Sequence, residues 1–85
     1  MKKTIFNAIS NITRVKILVC LGESEKSVTQ LIGHCDLSQS AVSQHLEYLK
    51  DAGLVVSRKQ GKERIYKILN PEISKLSKKL LEISQ

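Results

Sequence analysis

Leu37-Ser38-Gln39-Ser40-Ala41-Val42-Ser43-Gln44-His45-Leu46-Glu47-Tyr48-Leu49-Lys50-Asp51-Ala52-Gly53-Leu54-Val55 is the stretch on which the fold turns. Ser38 is a strong helix cap, and Val42, Leu46 and Leu49 follow at i, i+4 and i+7 as an inward apolar stripe. At about 100° per residue, Ser40, Ser43, Gln44 and Glu47 face away from that stripe. Gly53 stops the helix, which is predicted over about residues 38–52. A helix enters the major groove of a duplex only where its outward face is slim and polar near its N-terminus. Gln39, Ser40, Ser43 and Gln44 meet that condition. Gln pairs bidentately with adenine, and Ser contacts several bases or a phosphate. An ordinary solvated helix face has the same composition, so the neighbouring elements decide between the two.

Upstream, Ser27 caps a predicted third helix carrying Val28, Leu31 and Ile32, and Gly33 to Leu37 form the turn into the next helix. Asn11 caps a second helix through about Leu21. Its Ile12, Val15, Ile17, Leu18, Val19, Cys20 and Leu21 nearly encircle the axis, which predicts a central, buried element ended by Gly22. Thr4 to Ser10 form a short first helix with Ile5, Phe6 and Ile9 on one side.

Downstream the period changes. Leu54–Arg58 and Arg64–Leu69 read as strands, joined by a turn at Lys59-Gln60-Gly61-Lys62. This wing, about residues 54–69, carries Arg58, Lys59, Lys62, Arg64 and Lys67 against Glu63 alone. Such a hairpin either straddles a phosphate backbone or guards a sheet edge with charge. Tyr66 faces either a sugar-phosphate or the core. Asn70 and Pro71 open a last helix, about residues 71–84, whose Ile73, Leu76, Leu80 and Ile83 form a narrow seam of the kind that pairs two helices. The predicted fold is mainly α with a small β-hairpin: a winged helix-turn-helix with an added C-terminal dimerisation helix.

The chain has 85 residues and a net charge of +6, from 14 Lys and Arg against 8 Asp and Glu. That length predicts one domain, 1–85, burying only roughly 60% of its unfolded surface. The excess charge favours a polyanionic partner. No apolar stretch is long enough to span a bilayer, and the short run after Met1-Lys2-Lys3 does not read as a signal peptide. The cytoplasm is the expected location. Few aromatics argue against a stacking platform for single strands.

Cys20 and Cys35 are read first as reduced thiols, with Cys20 a small core residue and the two together a possible redox pair. No ligand spacing marks a metal site and no cofactor is expected. His45, at the edge of the apolar stripe, either packs against the third helix or reaches a phosphate. No phosphate-cradling loop, carboxylate pair or nucleophile motif is present, which excludes an obvious enzyme.

The run from Leu37 to Leu46, with Leu49 to Val55, resembles the recognition-helix region of the ArsR/SmtB-type bacterial repressors. Thr13-Arg14-Val15-Lys16-Ile17-Leu18 resembles that family's second helix, and Arg58 with Arg64-Ile65-Tyr66-Lys67-Ile68 resembles its wing. The similarity spans about residues 8–69 and is nearest to the HlyU- and BigR-like branch. It implies a dimeric winged-helix regulator on an inverted-repeat operator, with dimerisation through the first and last helices. The family's metal-ligand patterns are missing: the helix before the recognition helix has no Cys-x-Cys, and the last helix holds no Asp, His or Cys. The branch's second-helix cysteine has its nearest counterpart in Cys20, without the usual C-terminal partner.

The expectation is therefore a homodimeric, sequence-specific binder of double-stranded DNA, a transcriptional repressor with no stated effector and no membrane partner. Ser38, Gln39, Ser40, Ser43, Gln44 and His45 form the recognition surface; Arg58, Lys59, Lys62 and Arg64 hold phosphates. Ile5, Phe6, Ile9, Ile73, Leu76, Leu80 and Ile83 form the dimer interface. Two alternatives stand beside it: a thiol-responsive repressor switched by Cys20 and Cys35, and a winged-helix protein-interaction module that binds no DNA.

Overall fold

A computed structural model describes residues 4–35 and 38–84. The order is α1 (Ile5–Ala8), α2 (Ile12–Glu23), β1 (Lys26–Ser27), α3 (Val28–Cys35), α4 (Gln39–Asp51), β2 (Val55–Gln60), β3 (Glu63–Ile68) and α5 (Pro71–Ser84). The residues 36 and 37 assigned to the turn before α4 lie outside the described set.

Local chemistry accounts for most boundaries. The Asn11 side chain accepts from the amides of Thr13 and Arg14 and starts α2. Ser27 and Gln30 cap α3 reciprocally: each side chain accepts from the other's amide. The Ser38 hydroxyl accepts from Ala41 N–H at the head of α4. At its tail the Gly53 amide bonds to the Lys50 carbonyl and that of Leu54 to the Leu49 carbonyl, with Gly53 at φ +78°. This is a Schellman closure, which needs a residue free to turn left-handed. Asn70 accepts from Glu72 N–H to start α5.

Three features depart from the predicted pattern. Lys26 and Ser27 form a short strand against β3, so the hairpin is the larger part of a three-stranded antiparallel sheet ordered β1-β3-β2. Gly22 does not end α2, which runs on to Glu23. It lies where α2 crosses α5, and a methyl group there would overlap the Ser74 side chain. Gly33 lies inside α3 rather than in a turn.

The core joins Ala8, Ile17, Leu18, Leu21, Leu31, Val42, Leu46, Leu49, Leu54, Val55 and Tyr66. The α4 stripe of Val42, Leu46 and Leu49 is fully buried. Tyr66 turns inward, and burial, followed by the nearby Glu47 charge, raises its pKa. The encirclement expected of α2 is incomplete, because Ile12 is exposed and Val19 and Cys20 are only half-buried.

The last helix divides its apolar residues. Ile73 packs on the chain's own core, while Leu76 and Ile83 stay exposed. Ser77, not a leucine, is the buried centre of the helix, with its hydroxyl donating back to the Ile73 carbonyl. Small residues let α5 lie close on α2. On α1, Phe6 is 78% exposed, whereas Ile5 and Ile9 pack against the core, so the three do not share one face. Among the described residues no helix is long and apolar enough to cross a membrane.

Candidate nucleic-acid interface

With its aliphatic stripe buried, α4 presents Gln39, Ser40, Ser43 and Gln44 to solvent, together with the capping residue Ser38. None of these side chains fills the core. The hairpin stands beside the helix start. Gln39 and Ser43 share a cleft of about 420 Å³ with Thr29 of α3 and with Lys62, Glu63 and Arg64 of the hairpin. An amide, the hydroxyls of Ser27, Thr29 and Ser43, and two cations against the one Glu63 carboxylate thus line one open groove, a net positive polar surface suited to a phosphodiester strand passing between helix and wing.

Strand register sorts the hairpin cations onto two faces. Lys59 pairs with Arg64 and Ser57 with Tyr66, so Lys59 and Arg64 share the face that carries Val55 and Tyr66. Arg64 Nη1 donates to the Ser57 hydroxyl at 3.2 Å on that face. Arg58 pairs with Ile65 on the opposite face, where it forms an ion pair with Glu25 and donates to Gln60. The Arg58 hydrogen bond holds the Glu25 carboxyl below its ordinary pKa, and Glu25 in turn raises that of Arg58. The structure therefore separates the four predicted wing cations: Lys62 and Arg64 line the cleft, and Arg58 is engaged behind it. The two-residue turn at Gly61-Lys62 places Lys62 at the hairpin tip, with Gly61 at φ +63°.

His45 is half-buried and meets Arg14 of α2. Arg14 Nη1 stands 3.5 Å from its Nδ1. Burial, then the Arg14 charge, lowers its pKa below the ordinary 6.5. Arg14 also donates to the carbonyls of Ala8 and Asn7 and lies 4.0 Å from the centre of the Tyr48 ring. Sequence reasoning missed this cluster. A single arginine in a helix carries no periodic signal, and His45 lies 31 residues away with Tyr48 farther still. It also missed Lys26, a buried lysine whose Nζ donates to the carbonyl of Cys20 at 2.7 Å and to Ser24, closing the end of α2.

Cys20 is disulfide-bonded, which overturns the reading of it as a reduced core thiol. The chain's other cysteine is Cys35, whose side chain lies outside the described set. No cluster of metal-binding side chains occurs among the described residues.

The residues from Asn11 to Ser57, which build α2, β1, α3, α4 and the start of the first wing strand, match the model of a bacterial regulatory protein family over more than half the chain. The chain belongs to the arsR family. Family members are transcriptional regulators, not enzymes. The transcriptional activator HlyU of Vibrio cholerae is 39% identical over 69 residues, covering 81% of this chain and 64% of that protein. A probable mercury resistance operon repressor of Streptomyces lividans is 34% identical over 71 residues, 84% of this chain and 57% of the repressor. The chain thus spans roughly three fifths of the length of these relatives. In three dimensions it resembles the HlyU structure with a TM-score of 0.78 at 36% identity, over 92% of this chain and 85% of that one. The repressor BigR of Xylella fastidiosa superposes with a TM-score of 0.82 at 26% identity, over 93% and 81%. The arsR-family match and the winged-helix neighbours agree with the helix-turn-helix, wing and terminal helix described above.

Proposed function

We propose that this arsR-family chain is a cytoplasmic, homodimeric, sequence-specific binder of double-stranded DNA that represses transcription by occupying an inverted-repeat operator. One observation carries the reading: Gln39 and Ser43, on the exposed amide-and-hydroxyl face of α4, line the same cleft as Lys62 and Arg64. In it, Gln39, Ser40, Ser43 and Gln44 reach base edges, while Lys62 and Arg64 neutralise phosphates beside them. Lys59 shares the Arg64 face and adds to the field. Arg58 reaches a phosphate only by giving up Glu25. A second copy supplies the other half-site, about one helical turn away. The exposed apolar side chains Leu76 and Ile83 on α5, and separately Phe6 on α1, support such pairing. Selection of bound duplexes from a random pool, followed by sequencing, tests the reading. A palindromic motif is expected; a pool that shows no enrichment at low salt would sink it.

The disulfide at Cys20 favours a second reading, in which oxidation and reduction of Cys20 and Cys35 adjust DNA affinity. Affinity is then expected to differ between oxidising and reducing conditions, and the difference to vanish in Cys35→Ser. Equal affinities in both conditions would end it.

A further inference from the structure

The DNA-facing side of α4 is exposed, so its aim depends on what grips its other side. Val42, Leu46 and Leu49 bury that side in aliphatic packing, which is strong but non-directional. Arg14 adds a directional contact. Its Nε donates to the Ala8 carbonyl at 3.0 Å and its Nη2 to the Asn7 carbonyl at 2.8 Å, at the C-terminal end of α1. The Asn7 carbonyl also accepts from the Ser10 amide and hydroxyl, so Arg14 joins a bonded turn at the end of α1 and adds a charge-assisted donor to it. The same guanidinium lies over the Tyr48 ring and beside His45 Nδ1, both on α4. One planar cation, carried by α2, therefore bridges α1 and α4. Tyr48 lies one turn beyond Gln44, and His45 directly follows it. A rotation of α4 that broke the Arg14 contacts would swing the Gln44 amide out of line.

We propose that Arg14 is a positioning residue for the recognition surface: it sets the rotation of α4, and so the aim of Gln39, Ser40, Ser43 and Gln44, without touching DNA itself. The assignment rests on the DNA-binding reading above. A lysine does not substitute, because it has no planar fork to hold two carbonyls while stacking on a ring.

The test uses Arg14→Gln, Arg14→Lys and Tyr48→Leu in the full chain, with the duplex recovered from the random pool. Each variant is first shown to melt cooperatively. Affinity is expected to fall about tenfold or more in each, including Arg14→Lys, with the slope of log affinity against log salt unchanged. Lys62→Ala is the contrast, weaker and with a slope reduced by about one. The His45 ring resonances should titrate at higher pH in Arg14→Gln than in the parent. If the Arg14 variants do not fold, Tyr48→Leu carries the test, since it leaves both bonds to α1 in place. A folded variant that binds as tightly as the parent overturns the proposal. A lowered slope overturns it too, because it makes Arg14 a phosphate contact. If the parent itself selects no duplex, the DNA-binding reading has failed instead, and an unmoved His45 titration then overturns the Arg14 assignment independently.

Discussion

Arg58 and Arg64 show how little residue type alone says about a role. Both are exposed arginines on one hairpin, yet one is paired with Glu25 and the other lines the cleft beside α4. Arg64→Ala is expected to lower the salt slope of DNA binding by about one, and Arg58→Ala to leave it nearly unchanged. Fluorescence titrations across a salt series check both; equal losses of slope would contradict the sorting by sheet face. His45 gives a second prediction. Its folded-state pKa is depressed, so below the ordinary 6.5 the unfolded chain takes up a proton that the folded chain resists. Its contribution is complete above pH 6.5 and is lost as the pH falls through the lowered value. Urea melts between pH 5 and 8 should show parent stability declining in that acid range, and His45→Gln should decline less. The outward positions of α4 were legible because they follow helical period. The Arg14 cluster and the Glu25 pair were not, because each joins residues more than 30 apart in sequence.

Among the elements, the α2–α5 crossing depends on Gly22. Alanine there would gain about 1 kcal/mol of helix propensity. It would also force a methyl group into the Ser74 side chain, and overpacking typically costs about 1–3 kcal/mol. The Ser74 atoms that meet it are Cβ and Oγ, close to the backbone, so α5 itself must shift. Gly22→Ala is therefore expected to lower stability by about 1 kcal/mol despite the helical gain, seen as a lower urea midpoint at unchanged m value. A stabilised variant would show that the crossing relaxes freely. The element order was legible from caps, Gly53 and Pro71, which act within a few residues. Strand β1 was not, since two residues carry no period, and pairing with β3 across the chain is what makes Lys26 and Ser27 a strand.

At the scale of the whole molecule, the exposed apolar flank of α5 is the feature a second copy would cover. Leu76→Glu combined with Ile83→Glu is expected to yield a monomer by sedimentation velocity, with little change in melting, and to weaken operator binding by at least about tenfold through lost bivalency. A dimer that survives both charges would move the interface elsewhere. The sequence by itself determined the helix-turn-helix, the position of the wing and the polar outward face of α4. Those follow from periodicity and from capping residues that act locally. Only the tertiary structure decided that Ile73 belongs to the chain's own core while Leu76 and Ile83 do not, and that Gly22 is a point of close approach. It alone turned Arg58 away from the cleft and fastened Arg14 between α1 and α4. The reason is physical: hydrophobic period says that a face will be covered, but which partner covers it depends on elements brought together from distant parts of the chain.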